Sequence, residues 1–150
     1  MLVVIDVGNT NITIGIYHGD KLIGNYRLTT KMKRTSDEYG FMMMNFLNAS
    51  RVQPEDIKDV IVSSVVPKIM HSFLNGIRKY MHREPILVGP GIKTGISVKT
   101  ENPKAVGADR IVDAAGAYFE YGGPCLVVDY GTATTFDYVD AHGNFEYGVI

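Results

Sequence analysis

The sequence predicts an α/β fold in which one strand–turn–strand unit occurs twice, and two stretches carry that prediction. Val3, Val4 and Ile5 read as a buried strand running into Asp6, Val7, Gly8 and the small polar residues Asn9, Thr10 and Asn11. The apolar pattern then resumes at Ile12, Ile14 and Ile16, with Thr13 between. Leu126, Val127 and Val128 run in the same way into Asp129, Tyr130, Gly131, Thr132, Ala133, Thr134 and Thr135. Gly19-Asp20 follows the first copy and His142-Gly143 the second, each where a strand should reverse.

Gly8 lets the backbone approach a ligand or take a positive φ, and the N–H groups and short side chains around it can line a concavity suited to phosphate oxygens. A carboxylate at Asp6 would repel a bare phosphate, so it makes sense there as a holder of Mg²⁺ or of metal-bound water. The same residues would also satisfy a plain hairpin turn. The second copy shifts that balance. Twin units can face each other across a cleft and present both loops, Gly8 in one and Gly131 in the other, to one polyphosphate.

The elements between the copies follow in order. Lys21 to Leu28 reads as a third strand, and the polar, basic residues 29 to 35 as a loop. Ser36-Asp37-Glu38 opens a helix to about Asn48, with Ser36 as cap and Phe41, Met44 and Leu47 among its apolar contacts. The run Met42-Met43-Met44 reads as adaptable core filler. Pro54-Glu55-Asp56 is a short turn before a strand over residues 60 to 64, and Pro67 opens a helix through Ile69, Met70, Phe73, Leu74, Ile77 and Tyr80. His71 and His82 have no matching ligand set and read as solvated. Residues 85 to 88 look like one more strand, and 89 to 95, with their glycines and a proline, like a loop. Asn102 as cap and Pro103 at the first position open a helix that runs through 106 to 113 and stops at Gly122-Gly123. On it Gly107 and Ala108 leave one flank bare. Asp109 and Asp113, four apart, share a face from which Arg110 turns away. In isolation these acids read as surface charges; beside a phosphate cleft, one of them suits the task of deprotonating an attacking hydroxyl. The expected domains are 1–102 and 103–150, the latter holding the linking helix and the opening strands of a second unit.

A length of 150 residues fits one domain, or one small domain and part of another, and a net charge of −1 gives no electrostatic case for nucleic acid or an anionic membrane. No apolar run is long enough to span a bilayer, and the first residues lack the features of a signal peptide, so a cytoplasmic protein is expected. The single cysteine, Cys125, heads a strand expected to be buried and reads as a small core residue.

Three motifs together resemble a known family. D-V-G-N-T-N at 6–11, G-A-D-R at 107–110 and D-Y-G-T-A-T at 129–134 look like the first phosphate motif, the pantothenate motif and the second phosphate motif of type III pantothenate kinases. Their order and separation match along essentially the whole chain. The resemblance implies a duplicated ribonuclease H-like (actin-like ATPase) fold whose second unit is incomplete, the chain being the front portion of a longer protein. It implies that Asp6, Val7, Gly8, Asn9, Thr10, Asn11, Ile12 and Thr13 touch ATP, with Asp6 near the phosphates and Mg²⁺, and that Thr132 also contacts the nucleotide. It implies that Gly107, Ala108, Asp109 and Arg110 bind pantothenate, that Asp109 accepts the proton, and that Asp129 sits at a site for K⁺ or NH₄⁺. Arg110 would offer its fork to the pantothenate carboxylate. Where relatives often carry a substrate-pocket tyrosine, this chain has Thr100, which keeps a hydroxyl and drops the aromatic wall. A homodimer is implied as well. Outside this reading stand a non-catalytic nucleotide-binding regulator of the same family and another small-molecule kinase of the wider superfamily.

Overall fold

The computed structural model describes residues 1–89 and 91–150, and the chain divides into two compact units, Met1–Leu87 and Val88–Ile150. Of the loop expected over 89 to 95, Pro90 lies outside the described residues.

In the first unit β1 (Leu2–Val7), β2 (Asn11–His18) and β3 (Lys21–Thr29) form an antiparallel meander. On the other side of β1, β4 (Asp59–Ser64) and the short β5 (Ile86–Leu87) add in parallel, which gives the order β3-β2-β1-β4-β5. Strand alternation decides which side is covered. Val3, Ile5, Val7, Ile12, Ile14, Ile16, Val60 and Val62 are buried with Tyr39, Met43, Leu47, Phe73, Leu74, Ile77 and Met81 of two helices, α1 (Ser36–Ala49) and α2 (Pro67–Met81). Asp6 falls on the opposite face, with Val4 and Leu2.

The sequence misplaces two details of α1. The cap is Thr35, one residue before the expected Ser36. Its Oγ1 accepts the Glu38 N–H at 3.3 Å, while the Glu38 carboxylate accepts the Thr35 N–H at 2.6 Å, closing a reciprocal capping box. Those bonds hold the Glu38 carboxyl below the usual carboxylate range, led by the Thr35 backbone N–H. Phe41, expected in the core, is 61% exposed, because the helix turns Tyr39, Gly40, Met43 and Leu47 inward. Thr35→Ala is expected to cost about 1 kcal/mol, read as a lower urea midpoint at neutral pH. A depressed carboxylate stabilises above its unfolded pKa and loses that contribution as pH falls, so the difference from the parent should shrink on acidification.

In the second unit β7 (Cys125–Tyr130), β8 (Thr134–Val139) and β9 (Asn144–Val149) form another antiparallel meander. A two-residue β6 (Ser97–Val98) joins β9 in parallel, for the order β6-β9-β8-β7. One face packs on α3 (Ala108–Tyr121) through Ala114, Val139 and Phe145, with Val106, Tyr118 and Cys125 beside them. The other face is open: Leu126 is 61% and Val128 37% exposed, so β7 is not the fully buried strand its apolar run suggests. Asp140 fastens the β8–β9 turn by accepting the N–H groups of His142 and Asn144 and the Asn144 amide; these bonds, the Asn144 side chain first, lower its pKa.

The helix expected from Asn102-Pro103 is the largest correction. Pro103–Ala105 makes only a short 3₁₀ turn, Asn102 makes no side-chain cap, and Val106 (ψ 124°) and Gly107 (ψ 147°) are extended. The chain re-enters a helix at Ala108, with Gly107 as the cap residue and Gly122, at φ 79°, ending it where expected.

Candidate active site

In the first unit the residues from Asp6 to Thr13 wrap the β1–β2 turn. Asp6 stands opposite Thr13 and Val7 opposite Ile12 in the ladder, and the Gly8 N–H donates to the Asn11 carbonyl at 3.0 Å to close the turn. Val7 and Ile12 are fully buried, so any contact from them to a nucleotide is through backbone, whereas Asn9, Thr10 and Asn11 are exposed. The turn is braced by a residue that the sequence does not single out. Thr30 is 4% exposed; its Oγ1 donates to the Gly8 carbonyl at 2.7 Å and its N–H to the Thr10 carbonyl at 2.9 Å. From the other side the Val65 N–H donates to the Val7 carbonyl at 3.1 Å.

Ser63 was missed as well. It pairs in register with Asp6 across the parallel β1–β4 ladder, so Thr13, Asp6 and Ser63 form a row on one face of the sheet. Ser63 is 4% exposed and its hydroxyl has no hydrogen-bond partner among the described residues. A buried hydroxyl left so costs about 1–3 kcal/mol. A cation-bound water next to Asp6 would satisfy it, so the residues present fit a hydrated Mg²⁺. Among the described residues no three His, Cys, Asp or Glu side chains gather as a metal-binding group.

In the second unit the β7–β8 turn has the same plan with one residue fewer. Asp129 stands opposite Thr135, Tyr130 opposite Thr134, and the Gly131 N–H donates to the Ala133 carbonyl at 3.1 Å. Thr132 lies at its exposed tip. Asp129 is exposed and folds toward the turn: a Cβ on Gly131 would come within 3.0 Å of its Oδ2.

Because α3 starts at Ala108, the G-A-D-R segment forms a helix entry rather than a mid-helix flank. Asp109 is half-buried in the first turn, and its Oδ1 accepts the Arg110 N–H at 2.8 Å. That satisfies one of the donors left over at a helix start, and the helix dipole favours an anion there. The remaining oxygen is left for another donor. Thr100, just upstream, has a buried Oγ1 with no partner among the described residues. Arg110 makes a bidentate ion pair with Asp137 of β8, with Nε 2.9 Å from Oδ1 and 3.2 Å from Oδ2, and Nη2 also on Oδ1. The guanidinium edge that the sequence offers to a substrate is thus already engaged; Nη1 is the end left over. Asp137 carried a signal in the sequence, since it alternates with Thr135 and Val139 on the covered face, where a charge needs a partner.

The Type III pantothenate kinase family model matches residues 2–150. A type III pantothenate kinase of Bifidobacterium longum is 55% identical over all 150 residues, which span 59% of that protein, and one of Agathobacter rectalis is 55% identical over 149 residues, or 57% of its length. The chain therefore spans about three-fifths of the curated relatives it matches. Among solved structures, a ROK hexokinase from Thermus thermophilus superposes with a TM-score of 0.51 over 94% of this chain and 46% of that one at 12% identity, which shows the fold to be of the actin-like ATPase and sugar kinase kind. On the family match along its whole length, the chain belongs to the type III pantothenate kinases.

Proposed function

We propose that the protein carrying this chain transfers the γ-phosphoryl group of ATP to the hydroxyl of pantothenate, the first step toward coenzyme A. The observation that carries the reading is the first turn of α3, where Asp109 has one oxygen fixed by a backbone N–H and the other available to an incoming alcohol. In-line phosphoryl transfer asks the protein for positioned reactants, charge neutralisation and one carboxylate at the nucleophile. Asp109 takes the hydroxyl proton. Thr100 offers its unpartnered hydroxyl to pantothenate, Gly107 and Ala108 bring bare backbone close to it, and Arg110 supplies the Nη1 donors. Residues 6–13 on one turn, with Gly131 and Thr132 on the other, bind ATP. Asp6 with Ser63 would hold hydrated Mg²⁺ and Asp129 would hold K⁺ or NH₄⁺; when bound, these cations offset the crowded phosphate charge.

In this reading the second meander repeats the first with Asp129 in the place of Asp6, a duplicated ribonuclease H-like fold whose second unit is represented here by its opening strands. The protein works as a homodimer in the cytoplasm; among the described residues no helix is long and apolar enough to cross a membrane.

A coupled assay of ADP release by the whole protein tests the activity. Release should depend on pantothenate, and nucleotide binding without pantothenate-dependent turnover would mark a regulatory module instead. Turnover should also need K⁺ or NH₄⁺ and fall away in Na⁺, and Asp129→Asn should lose that cation response. Equal rates in all three salts would remove Asp129 from the proposal.

A further inference from the structure

We infer that Asp137 is a positioning residue for phosphoryl transfer: by clamping Arg110 it fixes the peptide that holds Asp109, and it decides which guanidinium donors face the substrate. The inference rests on the kinase reading for its chemistry, and on contacts within the second unit for its geometry.

Arg110 is held at both ends. Its backbone N–H donates to Asp109 Oδ1 at 2.8 Å, and its side chain makes the bidentate pair with Asp137. The pair is deep, the two side chains being 14% and 2% exposed, and the guanidinium carbon lies 5.9 Å from the Phe145 ring centroid. Gly148, which pairs with Asp137 across β8 and β9, makes the room: a Cβ there would overlap both the guanidinium and the carboxylate. Helix α3, β8 and β9 thus meet at one fork. Taking two charges out of water largely offsets their attraction, so such a pair contributes less to stability than to a fixed geometry. What it fixes is the first turn of α3, one residue from the proton acceptor. It also occupies the Nε and Nη2 edge, so a substrate carboxylate or carbonyl can be met only by Nη1. The planar fork makes that division sharp in a way a lysine could not.

Asp137→Asn removes the charge at nearly unchanged shape and is tested in the whole protein. Nucleotide-competent sites are counted by titration with a non-hydrolysable ATP analogue, and rates are expressed per competent site, so that partial misfolding does not register as lost turnover. The expected result is a fall in kcat of roughly 10- to 100-fold per site, a changed KM for pantothenate, and a KM for ATP within about twofold of the parent, since misplacement by about an ångström costs that much. Asp137→Glu, which restores the charge, should recover part of the rate. Gly148→Ala gives an independent reading if Asp137→Asn does not fold, because it keeps both charges and only displaces the fork; the same selective loss is expected. Parental kcat per competent site in either folded variant overturns the clamp while leaving the kinase reading standing. Absence of pantothenate-dependent turnover in the parent protein instead overturns the kinase reading.

Discussion

Asp109→Asn is expected to lower kcat for pantothenate phosphorylation by roughly 10²–10⁴-fold, the usual contribution of a positioned general base, while ATP affinity stays within about twofold. The amide oxygen can accept the Arg110 N–H as the carboxylate oxygen does, so the first turn of α3 keeps its local bond. What the amide cannot do is take a proton from the alcohol. In the proposed reading ATP is bound by residues 6–13, and Asp109 lies outside that stretch, so this substitution leaves it unchanged. Steady-state rates with saturating pantothenate, together with calorimetric titration of the nucleotide, separate the two effects. Turnover within about tenfold of the parent would exclude Asp109 as the base. An equal loss of ATP binding would show a folding defect rather than a chemical one.

The two strand–turn–strand units were legible in the sequence because their motifs sit where strand periodicity is strong. Val3, Ile5 and Val7 alternate against Ile12, Ile14 and Ile16, so the first turn could be placed between the two strands, one residue later than the acid at which the sequence ends the first strand, and the second turn followed from its likeness to the first. Helix boundaries were less legible because local signals can be satisfied by less than a helix. Asn102-Pro103 is a sound opening, yet Pro103–Ala105 uses it for one 3₁₀ turn before Val106 and Gly107 become extended. That correction matters to function, since it moves Asp109 from a helix flank to a helix entry. Thr30, Ser63 and Asp137 were missed for another reason: each acts through a tertiary neighbour. Thr30 reaches Gly8 from the end of β3, Ser63 meets Asp6 only through the parallel β1–β4 pairing, and Asp137 meets Arg110 only after α3 packs on β8. Of the three, only Asp137 left a trace in one dimension, as an acid in step with inward-facing residues.

Two phenylalanines in the first unit separate helical spacing from actual burial. Phe73 of α2 is fully buried and meets Tyr39 of α1 edge-on with ring centroids 5.0 Å apart, whereas Phe41 of α1 is 61% exposed and only leans on Tyr80 at 5.2 Å. Phe73→Ala should therefore cost about 3–5 kcal/mol, the transfer of a whole ring plus the cavity it leaves. The surroundings have little freedom to collapse into that space. Where Gly76 faces α1, an added Cβ would lie 2.7 Å from the Ser36 carbonyl and 3.1 Å from the Gly40 nitrogen, so the helices already touch backbone to backbone. Phe41→Ala, on the solvent side of the same helix pair, should cost under about 1 kcal/mol. Urea melts followed by circular dichroism give both values. A Phe41→Ala loss as large as that of Phe73→Ala would mean that the α1 face carrying Phe41 is covered in the working protein, and a small Phe73→Ala loss would contradict the packing of α1 on α2 in the core of the first unit.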